Sequence, residues 1–182
     1  MRGMKAKRRR KPYTILFVCT ANLCRSPMAE GILRQQVSSN ELKDRLTVMS
    51  AGVAAADGQQ ASSYAQEVCA EAGIDVSCHR SQPVTRGLLR KSDLVLVMTP
   101  SHKREIEEMN PAYRGKTFLL REYGRGRRSG TDLSIDDPYG GTKETYEVCF
   151  LRIEREVQRI LPELKMLAEE RREGTGRSKK QA

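Results

Sequence analysis

The stretch ILFVCTANLCRSP, residues 15–27, constrains this chain more than any other. A run of apolar and β-branched residues, suited to a buried strand, stops at Cys19; Ser26-Pro27 then opens the amphipathic pattern MAEGILRQQV. Proline is accepted in the first turn of a helix, where its missing N–H removes no bond. The segment CTANLCRS is therefore a turn between the carboxyl end of a strand and the start of a helix. Backbone N–H groups in such a turn point inward, and the helix dipole adds positive potential at the same place. That is an oxyanion cradle. Arg25 supplies planar paired donors that match a phosphate edge. Cys19 lies at the base, where the N–H groups, the guanidinium and the Ser26 hydroxyl stabilise a thiolate. A thiolate beneath a bound phosphate is an in-line nucleophile, so the turn predicts phosphoryl transfer to sulfur. A nucleotide P-loop needs G-x-x-x-x-G-K-[ST], and no such run occurs. C-x₅-R alone is a loose pattern; between a strand and a Ser-Pro helix start it becomes specific.

The rest of the chain alternates strand and helix patterns. Strand character falls at residues 14–19, 46–52, 94–98 and 117–120, and LVLVM is apolar on both faces, as in a covered parallel strand. Helical periodicity follows Ser26, runs over 62–72 with Tyr64, Ala65, Val68, Cys69 and Ala72 on one face, and recurs at 85–91 and about 100–109. The longest helix is expected over about 142–170, with Tyr146, Cys149, Phe150, Ile153, Val157, Ile160, Leu161 and Leu164 as its buried stripe and Pro162 as a candidate kink. Alternation of this kind predicts a single doubly wound α/β domain whose ligands bind at the carboxyl ends of the strands.

Charge and cysteine usage narrow the function classes. The net charge of +10 is concentrated at the ends: residues 1–11 carry +7 and residues 171–182 carry +4, leaving about −1 between them. The expected organisation is a basic, disordered tail over 1–12, a domain over 13–170 and a second basic tail over 171–182. Weak nucleic-acid contact through the tails is the secondary reading, because the body is near neutral. The basic start followed by ILFVC mimics an export signal, but its apolar stretch is too short and lacks a small-residue cleavage site. No apolar run is long enough for membrane insertion, and a cytoplasmic location is expected. Five cysteines without an export signal argue against a disulfide framework. Cys78 and His79 could join Cys19 and Cys24 around zinc, but no second close cysteine pair exists, so no metal is expected.

Phosphoryl transfer to sulfur also needs an acid for the leaving atom. IDDPYGG offers two carboxylates, Asp136 and Asp137, and the pattern alone does not choose between them.

With these residues assembled, the chain resembles the low-molecular-weight protein tyrosine phosphatases, including the bacterial branch of protein arginine phosphatases. The likeness rests on VCTANLCRSP, SAG, GIDVSCHRS, DLVLVMTPSHK, LLREY and DDPYGG, and covers about residues 13–165. It implies a four-stranded parallel sheet flanked by helices on both faces, with the phosphate-binding loop after the first strand. It also implies hydrolysis of a phosphorylated protein through a phosphocysteine, with no metal or cofactor. Position by position, it makes Cys19 the nucleophile, Arg25 the phosphate clamp and Asp137 the general acid. Thr20, Ala21, Asn22, Leu23, Cys24 and Ser26 form the loop, and Ser50 and His79 support it. Cys24 matches a second loop cysteine that can form a reversible disulfide with the nucleophile. Ala21 stands where the family usually has glycine.

Substrate choice stays open between two readings. Several motifs look most like the arginine-directed branch, which carries a small threonine where this chain has Leu23. Tyrosine-directed members carry a bulky aliphatic residue there, and a branched leucine crowds a guanidinium more than a phenol ring. Phosphotyrosine is the leading expectation, with Leu23 and Tyr139 as the substrate wall. Arsenate reduction needs a downstream relay cysteine pair that this chain lacks, Cys69 and Cys78 lying in the wrong segment. A phospho-residue binding module without turnover is disfavoured by Cys19, Arg25 and Asp137 together.

Overall fold

The computed structural model describes residues 11–39, 42–125 and 133–173. Both tails lie almost wholly outside them. Four strands, β1 (Tyr13–Cys19), β2 (Leu46–Gly52), β3 (Leu94–Val97) and β4 (Thr117–Leu119), form one parallel sheet in the order β2-β1-β3-β4. The helices are α1 (Arg25–Ser39), α2 (Ser63–Glu71), α3 (Arg86–Lys91), α4 (Pro100–Met109) and α5 (Lys143–Glu173). A 3₁₀ turn over Pro111–Lys116, which periodicity did not reveal, leads into β4.

The apolar run of β1 is explained by burial on both faces. Ile15, Phe17 and Cys19 join the core built with α1, α2 and α5, whereas Leu16 and Val18 join the core under α3 and α4. Strand β3 divides likewise, Leu94 and Leu96 to the first core and Val95 and Val97 to the second. Side chains of a strand alternate between faces, so a strand buried twice must be apolar throughout.

The strand order also places the site. The chain leaves β1 for β2 on one side and later returns to β3 on the other, so the sheet's winding reverses at β1. The crevice beyond the carboxyl end of β1 is the topological switch point, where such sheets bind ligands. Cys19 is the last residue of β1.

Two local expectations change. On α2 the buried stripe is Ala65, Val68 and Cys69, while Tyr64 and Ala72 are exposed. Tyr64 lies at the edge of that stripe and leans on the Tyr146 ring, with centroids 5.5 Å apart, and Ala72 is the C-cap. Helix α5 continues through Pro162, its packing through Ile160 and Leu164 outweighing one lost backbone bond. It also passes residue 170, because Arg171 pairs with Asp93 at 2.5 Å and lies over the Tyr13 ring. Arg171 is thus packed on the domain. Among the described residues no helix is long and apolar enough to cross a membrane.

Candidate active site

The turn after β1 is held by side chains converging on Asn22. Its backbone takes a left-handed conformation, φ 58°, which asparagine tolerates better than most residues. The buried Asn22 Nδ2 donates to Ser26 Oγ at 2.8 Å and to Ser50 Oγ at 2.9 Å. Its Oδ1 accepts from the backbone N–H of Gln82 at 3.0 Å. With both amide hydrogens spent, the direction of every hydroxyl follows. Ser50 passes its hydrogen to Glu30 Oε2. Ser26 has its hydrogen left for Cys19 Sγ, 3.0 Å away, or for the more distant Ala51 carbonyl. The buried Cys19 sulfur is therefore placed to receive a hydroxyl hydrogen bond when it is a thiolate. His79 Nε2 lies 2.8 Å from the Asn22 carbonyl, which can only accept, so His79 carries its hydrogen on Nε2.

Arg25 opens α1 and is 3% exposed. Nη1 donates to the Ile135 carbonyl at 3.1 Å; Nη2 donates to Thr20 Oγ1 at 3.1 Å and pairs with Asp137. Arg25 Nε is buried without a hydrogen-bond partner among the described residues. A buried donor left unbonded is costly, and a buried guanidinium beside a helix N-terminus suits an oxyanion.

The loop before α5 separates the two aspartates that the sequence leaves equivalent. Asp137 turns inward to Arg25, yet its side chain is 44% exposed, so it stands at the rim. Asp136 turns outward and pairs with Arg152 on α5 at 2.6 Å, with 75% of its side chain exposed. Tyr139 beside them is 71% exposed. Leu23 is half-buried, its carbonyl accepting from Ser62 N at 2.9 Å. Cys24 is buried, with Sγ 3.4 Å from Ser62 Oγ and 3.3 Å from the Tyr146 hydroxyl. Burial pushes its thiol up despite those two hydrogen bonds, so it is protonated at neutral pH.

All the expected site residues thus converge on one end of the sheet. Sequence reasoning missed Glu30, Ser62, Gln82, His102 and Tyr146, each a second partner reached across the fold. TPSHK carried the only trace of His102, as part of a matching motif.

Gly52 also belongs to the site. It ends β2 opposite Cys19, and a Cβ there would lie 2.4 Å from the Thr20 carbonyl and 2.8 Å from Asn22 N. Both are backbone atoms, so the loop itself must move. Gly52→Ala is expected to weaken vanadate binding by about tenfold or more, consistent with overpacking penalties of roughly 1–3 kcal/mol. Titration of the purified variant checks this, and unchanged affinity would show that the loop yields freely.

Among the described residues no group of three or more His, Cys, Asp or Glu is placed to hold a metal ion.

A basin built from a strand-end thiol, a buried arginine and a rim carboxylate defines a class of anion-handling site, and comparison with known proteins gives it a family. The family model described as low molecular weight phosphotyrosine protein phosphatase matches residues 14–173. A probable low molecular weight protein-tyrosine-phosphatase, EpsP of Ralstonia solanacearum, is 39% identical over 154 residues, covering 85% of this chain and 97% of that protein. The protein-arginine-phosphatase of Geobacillus stearothermophilus is 40% identical over 153 residues, covering 84% and 97%. Among solved structures, YwlE arginine phosphatase from G. stearothermophilus superposes with a TM-score of 0.77 at 40% identity, over 87% of this chain and 97% of the other. The low molecular weight protein tyrosine phosphatase from T. tengcongensis gives 0.75 at 38% identity, over 83% and 99%. The chain belongs to the low molecular weight phosphotyrosine protein phosphatase family.

Proposed function

We propose that this protein is a phosphoprotein phosphatase that hydrolyses phosphotyrosine through a phosphocysteine on Cys19. The observation that carries the reading is the buried Arg25, whose Nε has no hydrogen-bond partner among the described residues and whose Nη2 pairs with Asp137, offering a seat for a phosphate next to the Cys19 turn. A phosphate dianion on that seat displaces the Asp137 carboxylate towards the rim, where it faces the leaving atom. In the first step Cys19 Sγ attacks phosphorus and the bond from phosphorus to the phenolic oxygen breaks. Freed from the Arg25 guanidinium, Asp137 takes up a proton from solvent and gives it to that oxygen. In the second step Asp137 takes a proton from water, the water oxygen attacks phosphorus, and the P–S bond breaks. Phosphate leaves, and the thiolate returns to the Ser26 hydroxyl. Asn22, Ser50 and His79 keep the loop in register throughout.

Leu23 supports the phosphotyrosine assignment. Its backbone carbonyl is held by the Ser62 N–H, and an isobutyl group beside the phosphate loop would pack on a flat phenol ring but crowd a hydrogen-bonding guanidinium. Exposed Tyr139 supplies the second wall. Hydrolysis of phosphoarginine by the same steps is the alternative, favoured by the 40% identity to a protein-arginine-phosphatase. Turnover on matched phosphotyrosine and phosphoarginine peptides separates them, and a higher kcat/KM for phosphoarginine would overturn our assignment. Leu23→Thr should move the ratio of kcat/KM values towards phosphoarginine by about tenfold or more, the scale on which small changes in side-chain bulk discriminate substrates. An unmoved ratio would place selectivity elsewhere.

We further propose that Cys24 protects the site. Cys19 oxidised to a sulfenic acid would condense with the Cys24 thiol, releasing water and leaving a reducible disulfide. Cys24 must first leave Ser62 and Tyr146. A cytoplasmic location accords with this thiol chemistry and with the odd cysteine count.

A further inference from the structure

We propose that His102 is a positioning residue which acts through the Thr20 hydroxyl to hold Arg25, and that it must be the neutral Nδ1–H tautomer to do so. The inference rests on the phosphatase reading and adds to it a residue outside the loop.

The argument is one of hydrogen counting. A guanidinium only donates, so Thr20 Oγ1, 3.1 Å from Arg25 Nη2, must turn a lone pair towards it. His102 Nε2 lies 3.0 Å away. An Nε2–H there would put a second donor on the same oxygen and leave the Thr20 hydrogen to solvent. An unprotonated Nε2, the proposed state, gives that hydrogen a fixed acceptor. The ring hydrogen therefore sits on Nδ1, which is 3.0 Å from Thr99 Oγ1. Thr99 also accepts from the His102 backbone N–H at 3.5 Å as the N-cap of α4, so its own hydrogen goes to Ser101 Oγ at 2.7 Å. The chain runs one way, from Arg25 through Thr20 and His102 to Thr99 and Ser101.

Each link does something the loop cannot do alone. Thr20 is exposed, and an exposed hydroxyl rotates freely unless an acceptor fixes its hydrogen. His102 is 4% exposed and rooted at the start of α4, so it supplies that acceptor from a rigid element. Its surroundings keep it neutral: burial and the Arg25 charge hold its pKa down at about 4, against an opposing pull from Asp137. Those are the ionised groups acting on it, one from α1 and one from the loop before α5. His79, the only other histidine, carries a hydrogen on the opposite nitrogen, Nε2, and donates it to the Asn22 carbonyl. The two rings therefore differ in tautomer.

The test uses the full-length enzyme and two readouts. In ¹⁵N-resolved imidazole spectra, assigned with His102→Gln, the His102 ring should stay neutral and Nδ1-protonated from about pH 8 to about pH 5. A ring protonated on Nε2, or titrating near the ordinary histidine value, would overturn the proposal. The second readout is vanadate affinity, which needs no turnover. His102→Phe and Thr20→Val should each weaken binding by about tenfold, with the double variant no worse than either single one. His102→Gln, which restores an acceptor near the Nε2 position, should recover most of the loss. Additive losses, or no recovery with glutamine, would reduce His102 to core packing. If His102→Phe does not fold, the glutamine variant and the wild-type spectrum still decide. Failure of the wild-type enzyme to hydrolyse any aryl phosphate would instead count against the phosphatase reading, and both readouts here are independent of it.

Discussion

Cys19→Ser is expected to abolish hydrolysis of an aryl phosphate, lowering kcat by about 10⁴-fold or more, while the protein folds and still binds phosphate. The scale follows from the chemistry of the nucleophile. A thiolate is accessible at neutral pH and strongly nucleophilic, whereas a serine alkoxide is not, and among the described residues the hydrogen-bond neighbour of Cys19 Sγ is a hydroxyl, Ser26, rather than a base. The neighbours of Cys19 Sγ are hydrogen-bond donors: Ser26, with its hydrogen directed by Asn22, and the start of α1. They suit a sulfur that already carries the charge. Serine is nearly isosteric, and the loop is shaped by Asn22, Ser50, His79 and Gln82, none of which uses the sulfur. Phosphate affinity, set by Arg25 and the loop, should therefore survive. Steady-state kinetics on an aryl phosphate, with phosphate affinity by calorimetry, checks both halves. Residual turnover above about one per cent of wild type would mean that another group attacks phosphorus.

That separation of loop shape from loop chemistry also explains what the sequence made legible. Everything within the strand–turn–helix could be read locally. The apolar run ends at Cys19, the helix starts at Arg25, and the intervening residues are those an anion-binding turn needs. The four strands were likewise visible, because burial on both faces leaves a continuous apolar signature in β1 and β3. What could not be read were partners fixed only by the fold. Glu30 takes the hydrogen of Ser50, Tyr146 meets Cys24 from 122 positions away, and His102 meets Thr20 from 82 positions away. None of these pairs has a spacing that means anything in one dimension. Asp136 and Asp137 are the sharpest case: adjacent and identical in type, they differ only in which way the turn presents them. Tyr64 failed for a related reason. Its place in the α2 pattern suited burial, but the helix is short and the ring lies at its edge.

The two aspartates also carry the second large effect. Asp137→Ala should lower kcat by about 10²–10⁴-fold for a phosphomonoester with a poor leaving group such as an alkyl alcohol, the range general acids supply. For a nitrophenyl ester, whose oxygen departs without a proton, the loss in phosphorylating Cys19 should be far smaller. The contrast arises because the alanine variant removes the proton donor but leaves Cys19 and Arg25 in place. It also frees Arg25 Nη2 from its pairing with Asp137, so oxyanion affinity should stay level or rise. Hydrolysis of the phosphocysteine should slow for both substrates, because the same carboxylate would activate the water, so the leaving-group contrast belongs to a pre-steady-state burst. Asp136→Ala makes the internal control. Its carboxylate points away towards Arg152, so its removal should change neither the burst nor its dependence on leaving group. If the Asp136 variant instead showed the dependence, the turn would have to present its carboxylates in the opposite sense, and the Arg25–Asp137 pair would be a structural salt bridge alone.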